Sequence, residues 1–246
     1  EDPRVVETDG GFYVMTYTQW SRVANTYTTG VATSRDLHTW IKHGPIFAGA
    51  NGGKYDHLAY KSAGILTRIK GDHIVAAKIH GKYWMYWGEI EIRIATSRDL
   101  IHWIPVEDDH GKPIVLMGAR AGKFDSAFPE IGPPPVITDR GILLIYNARN
   151  ADKYKMGPGN TAGDPNLVPG TYTVGEALFD TKHPERLLAR TDGPVLKPTL
   201  AWESNGQYKP GTTFAEGLVR FKSKWLLYYG ASDSFVGVVA AEGNRR

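Results

Sequence analysis

The chain has 246 residues, 41% of them hydrophobic and 22% charged, ordinary values for a globular protein that exclude a disordered chain. Its 29 Lys and Arg against 26 Asp and Glu leave +3, too little for a protein that holds nucleic acid by clustered cations, so no nucleic-acid partner is expected. No stretch reaches the roughly eighteen consecutive apolar residues of a membrane helix, so no membrane partner is expected; the absence of Cys excludes disulfides, thiolate zinc sites and a cysteine nucleophile.

In chain order, the sequence opens on Glu1-Asp2-Pro3-Arg4-Val5-Val6 with no initiator Met. More chain upstream is expected, and the compartment, cytoplasm or periplasm, stays open. Next comes a strand after a turn, Gly11-Phe12-Tyr13-Val14-Met15-Thr16-Tyr17, then a Gly-flanked strand at Gly30-Val31-Ala32 and the tail Ala32-Thr-Ser-Arg-Asp-Leu37 with Trp40 after it. The same succession returns as Gly81-Lys82-Tyr83-Trp84-Met85-Tyr86-Trp87, Ile92-Arg93-Ile94-Ala95, and the identical hexapeptide Ala95 to Leu100 followed by Trp103. Third and fourth copies of the strand pair read Gly141 to Tyr146 with Val174 to Leu178, and Lys224 to Tyr229 with Val236 to Ala240.

Helical spacing is poor throughout, Gly and Pro interrupt the longer windows, and Val, Ile, Tyr and Trp crowd short runs. The repeated strand, turn, strand and polar tail predict an all-β fold, a β-propeller. A β-sandwich is the weaker alternative. Four blades are legible, and a ring that protects its strand edges predicts a five-bladed β-propeller with the first blade upstream of Glu1. Residues 1–246 are read as a single catalytic domain.

A propeller places ligands on its axis, so carboxylates in rigid Gly- and Pro-rich contexts are the candidates for chemistry. Asp2 precedes Pro3, Glu130 lies between Pro129 and Ile131-Gly132-Pro133-Pro134-Pro135, Glu216 is the one charge in Thr213 to Val219, and Asp233 follows Tyr228-Tyr229-Gly230-Ala231-Ser232. Any one alone reads best as a turn residue or a satisfied buried acid. Together, with abundant Trp and Tyr, they suit a sugar site, where acids move protons and flat rings stack on a pyranose. No His spacing fits catalytic zinc, and the hydrolase elbow, the P-loop and the dinucleotide fingerprint are absent; no metal or cofactor is expected. The Gly-rich stretch from Met156 to Gly170, with Asn160, Asp164 and Asn166, matches no calcium loop and is expected to lie over the channel. Lys153, Lys155, Arg186 and Arg190 are expected to be solvated.

The sequence resembles glycoside hydrolase family 130, the five-bladed propellers of β-mannoside phosphorylases and β-mannosidases. The resemblance rests on Glu1-Asp2-Pro3-Arg4-Val5, both Ser-Arg-Asp-Leu-x-x-Trp segments, Gly132-Pro133-Pro134-Pro135, Gly175 to Asp180, and Tyr228 to Asp233, in family order. It implies inversion at the anomeric carbon with Asp2 as general acid. The family's phosphorylases hold phosphate through basic residues, one an Arg in a His-Arg-Pro segment; here that place reads Trp87-Gly88-Glu89. Where they have Gly-Ala-Gly-Pro-Pro-Pro and Phe-Pro-Cys-Gly, this chain has Glu130 before Ile131-Gly132-Pro133 and Glu216 before Gly217.

Removing cations and adding carboxylates repels a phosphate dianion and favours activation of water. The pattern is similar to that of the exo-acting β-1,2-mannosidases of the family, as are Tyr17-Thr18-Gln19-Trp20, Lys42-His43-Gly44-Pro45 and Gly206-Gln207-Tyr208. The resemblance implies a mannose-containing oligosaccharide as partner. Asp2 would protonate the glycosidic oxygen, directly or through a sugar hydroxyl. Glu130 and Glu216 would hold and activate water, one as base and one as positioner. Arg4, Lys61, Tyr146, Asn147 and Asp233 would bind mannose hydroxyls; Trp87 or Tyr208 would supply a stacking face; Tyr17, Gln19 and Glu89 complete the substrate-binding set. The rival readings are a phosphorylase anchoring phosphate on Arg149, Lys153 or Lys155, a non-catalytic sugar-binding propeller, and a glycosidase for arabinan, xylan or fructan. A homo-oligomer is left open.

Overall fold

The computed structural model describes residues 1–151 and 162–242. The aromatic and β-branched runs become twenty strands, and no α-helix occurs among the described residues. The first described blade is a four-stranded antiparallel meander, β1 (Arg4–Glu7), β2 (Tyr13–Ser21), β3 (Thr26–Ser34) and β4 (Ile41–Pro45). In chain order there follow β5 (Ala63–Ile65), the hairpin β6 (Thr67–Lys70) and β7 (His73–Ala76), β8 (Lys78–Ile79), β9 (Lys82–Trp87), β10 (Ile92–Ser97), β11 (Trp103–Pro105) and β12 (Val115–Met117). Of these, β5, β9, β10 and β11 form the second blade. A third comprises β13 (Phe128–Ile131), β14 (Val136–Thr138), β15 (Gly141–Arg149), β16 (Tyr172–Phe179) and β17 (Leu187–Arg190). The last described unit is β18 (Thr213–Phe221), β19 (Lys224–Ala231) and β20 (Phe235–Glu242). The four repeated strand pairs are thus β2–β3, β9–β10, β15–β16 and β19–β20, each antiparallel. The fold is the all-β propeller.

The β6–β7 hairpin, with no counterpart in the sequence repeat, stitches blades together. Its β7 pairs parallel with β1 at Glu7↔Val75, and its β6 pairs parallel with β14 at Val136↔Thr67. Apolar side chains are buried between neighbouring blades. Val14, Val31, Phe47, Met85 and Trp103 fill one cluster, Tyr86, Ile94, Phe124, Leu144 and Phe179 a second, and Val174, Ala215, Tyr229 and Ala231 a third. Packing of this density fixes the inner strands β1, β13 and β18 in place. Those three strands, or the residues just before them, carry Asp2, Glu130 and Glu216.

Candidate active site

The site is built on left-handed turns and buried side chains. Asp2 has a left-handed backbone (φ 52) immediately before Pro3, and its Oδ2 accepts a bond from Thr18 Oγ1 on β2 at 3.4 Å. Two residues on, Arg4 is 2% exposed, and its fork is spent on backbone carbonyls. Nε donates to Gly132 O (2.9 Å), Nη2 to Ile131 O (2.7 Å) and Nη1 to Asp2 O (2.6 Å). One guanidinium therefore ties the Asp2 turn to the chain just beyond Glu130, and its Nη1 also stands 3.9 Å from Glu216 Oε1.

Glu130, on β13, is 1% exposed. Ser62 Oγ donates to its Oε1 in a short hydrogen bond, and Lys61 Nζ lies 3.2 Å from the same oxygen. Ser62 has φ 59, so a strained left-handed turn presents adjacent side chains to one carboxylate oxygen. Lys61 Nζ is also 3.5 Å from Glu89 Oε1, and the backbones of Glu89 and Glu130 form an antiparallel bridge. Burial pushes the Glu89 carboxyl up, as does the charge of Glu130, with Lys61 opposing. Burial alone would lower Lys61; Glu130, Glu89 and Asp2 outweigh it and hold the ammonium above its ordinary range.

Glu216 occupies a β-bulge. Ala215 pairs with Tyr229 and Gly217 with Tyr228, leaving Glu216 as the extra residue, and a bulge re-aims a side chain out of strand alternation. Its buried Oε1 has no hydrogen-bond partner among the described residues. Burial first, then the Asp2 carboxyl within hydrogen-bonding reach and the charge of Glu130, push Glu216 up to about 7 against the pull of Arg4. Asp233 lies at the exposed rim, in a left-handed turn (φ 52). Burial, then Asp2 and Glu1, push its carboxyl up. Asp2, Glu89, Glu130, Glu216, Lys61 and Asp233 thus form one electrostatic cluster.

Several expected ligands are elsewhere. Tyr146 is fully buried; its hydroxyl donates to Asp125 Oδ2 (2.8 Å) and accepts from Arg190 Nε (3.1 Å), so it is a core residue between blades. Arg190, expected in solvent, is buried instead, its Nη2 2.6 Å from Asp125 Oδ2, because a fully buried carboxylate needs compensating charge. Arg4 and Asn147 are brought to the site but bond backbone: Asn147 Nδ2 donates to Ala215 O (2.9 Å), and its Oδ1 accepts from Ala215 N (2.7 Å). Trp87 is 5% exposed and packs edge-on to Phe47, offering no open face. Tyr17 and Gln19 project from the face of β2 opposite Thr18, over Gly30, where a Cβ would stand 2.8 Å from both side chains. Tyr208 is half-buried, edge-on to Tyr172 at 5.3 Å. Arg186 is solvated as expected, and Asp164 Oδ1 accepts from Asn166 N in a local turn. Lys153, Lys155 and Asn160 lie outside the described residues.

Sequence reasoning named Tyr208 but missed Ser62 and the other rings of the aromatic walls. Tyr172 groups with Phe128, Tyr208 and Phe214 on one side, and Arg149 lies over its ring at 5.6 Å. On the other side Trp20, two residues beyond Thr18 on the same face of β2, stacks on Tyr27 with centroids 5.7 Å apart and is 50% exposed. Burial pushes both tyrosine hydroxyls up, and both feel the charges of Glu130 and Lys61. Only strand register brings these rings to the carboxylates.

The family model for glycoside hydrolase family 130, described as beta-1,4-mannooligosaccharide phosphorylase, matches residues 1–244. The chain belongs to glycoside hydrolase family 130. It is 32% identical over 243 residues to the 1,2-beta-oligomannan phosphorylase of Thermoanaerobacter sp. (strain X514), covering 98% of this chain and 68% of that one. It is 48% identical to a putative glycosidase structure from Bacteroides thetaiotaomicron VPI-5482, with TM-score 0.91, covering 98% and 66%. A third relative, 44% identical with TM-score 0.93, covering 98% and 65%, is a structure described under family 130 glycoside hydrolases that target beta-1,2 mannosidic linkages in Candida mannan. The chain spans about two thirds of the length of these relatives. The family-130 propeller expected from the sequence is thereby shown.

Proposed function

We propose that this family-130 chain carries the active site of an inverting, exo-acting β-mannosidase that releases mannose from β-mannosides, β-1,2-linked ones foremost. The observation that carries the reading is Lys61 held between Glu89 and Glu130 while Arg4 is committed to carbonyls. Lys61 and Arg4 are thereby neutralised or spent, and the charges of Glu89, Glu130 and Glu216 disfavour a phosphate dianion beside them. The higher identity to the structures described as glycosidases than to the phosphorylase supports the same reading.

In this reading Glu216, near 7 because of its burial, accepts the proton of the attacking water. Glu130, its Oε1 engaged by Ser62 and Lys61, positions that water. Asp2 stands beside Glu216, whereas the acid and base of an inverting pair usually flank a gap of about 6.5–9.5 Å. That closeness favours delivery of the Asp2 proton through a mannose hydroxyl. Trp20 supplies the open stacking face that Trp87 lacks.

The test is incubation with β-1,2-mannobiose with and without inorganic phosphate, identifying the released sugar. Free mannose at equal rates in both is expected. Mannose 1-phosphate formed only with phosphate would overturn the hydrolase in favour of a phosphorylase.

A further inference from the structure

Asn147 joins the strand of Glu130 to the strand of Glu216, between which no direct backbone hydrogen bond runs among the described residues. It is fully buried on β15, directly opposite Glu130 in the β13–β15 register. Its carboxamide meets Ala215, the residue before Glu216, as a second strand would: Nδ2 donates to Ala215 O at 2.9 Å, and Oδ1 accepts from Ala215 N at 2.7 Å. Nδ2 also approaches Ile131 O, beyond Glu130, at 3.4 Å. Ala215 is the last regular residue of β18 before the bulge that aims Glu216. We propose that Asn147 is a positioning residue that sets Glu216 against Glu130 and so fixes the place of the attacking water, without touching substrate.

A primary carboxamide is the fitting group because it carries a donor and an acceptor on one planar end, as a peptide does. Asp would supply only acceptors and add charge among carboxylates; Leu would leave both Ala215 groups unpaired in a dry site. Arg4 makes the matching tie from the Asp2 turn to Ile131 and Gly132, so the backbone beside each carboxylate is held as well, and Glu216 is held through the backbone alone on its Oε1 side. Such indirect holding leaves Glu216 Oε1 available for chemistry while the frame sets its distance from Glu130.

The inference rests on the hydrolase reading, and the experiment separates the two. Asn147→Ala and Asn147→Ser are assayed on β-1,2-mannobiose beside the unaltered protein, with and without phosphate, and mannose affinity is measured by calorimetry. A strict phosphate requirement in the unaltered protein would overturn the hydrolase reading and the attacking water with it, whatever the Asn147 variants do. The expected result for Asn147→Ala is a fall in kcat of about tenfold to a hundredfold, with KM and mannose affinity within about threefold. The acid limb of its pH–rate profile should move down by about half a unit or more as water reaches Glu216. Asn147→Ser, able to keep one bond, should recover part of kcat, and it serves as the test variant if Asn147→Ala melts below the assay temperature. An unchanged kcat in a folded variant would overturn the proposal. So would mannose affinity falling in step with kcat, which would make Asn147 a substrate ligand.

Discussion

At Glu216 a carboxyl without a hydrogen-bond partner on Oε1 lies beside a second carboxyl and a committed guanidinium, and burial raises it to about 7. If it accepts the proton of water, turnover should fall about tenfold per unit as pH drops below that value. Glu216→Gln should lower kcat by about a hundredfold or more, read in mannose release. The same shift makes a stability statement. A carboxyl whose folded value exceeds its unfolded value contributes fully below the unfolded value near 4.5 and loses that contribution as pH rises through about 7. Glu216→Gln should therefore melt higher than the unaltered protein above neutrality, with the difference closing toward pH 4; a gap that widened as pH fell would refute this. The chemical types at the site were legible because Glu130 and Glu216 stand out in Gly- and Pro-rich, apolar runs. Ser62, the partner of Glu130, was not, because a serine before Ala63-Gly64 carries no signal until a left-handed turn lays it on that carboxylate.

At the scale of elements, the repeated hexapeptide proves to be a turn that caps itself. Ser97 Oγ accepts from the Asp99 and Leu100 amides, Asp99 Oδ1 from those of Ile101 and His102, and Trp103 Nε1 donates to Leu100 O. Ser34, Asp36 and Trp40 repeat the same bonds, with Leu37 and Leu100 both left-handed. The conspicuous repeat is thus architectural, as a recurring side-chain-to-backbone device should be. Ser97→Ala should cost about 1–2 kcal/mol in urea denaturation with mannose release unchanged. Strand pairs were read from composition and alternation with little loss, whereas β5 and the β6–β7 hairpin went unread. They are short strands that, beyond the hairpin's own pairing, take partners from distant parts of the chain: β9 for β5, β14 for β6 and β1 for β7.

Across the whole molecule, Arg4 bonds carbonyls 127 and 128 residues away and so ties the first described blade to the third through the centre. Lysine cannot reproduce three donors in a planar fork. Arg4→Lys should lose about 2–4 kcal/mol of stability and lower kcat at least tenfold, both measurable on one preparation; retention of both would show that the tie is dispensable. The rigidity that Arg4 and Asn147 confer explains why residues read as sugar ligands are frame instead.

By itself the sequence determined the all-β repeat, the strand pairs and the carboxylates that do not belong in an ordinary strand, because these depend on composition and local alternation. Tertiary structure decided which polar groups are free to act. Arg4, Asn147 and Tyr146 have the chemistry of sugar ligands, yet burial compels each to satisfy its donors and acceptors within the protein. Trp20 and Tyr172 carry no such obligation and come to the carboxylates through strand register and blade packing, which local sequence does not encode.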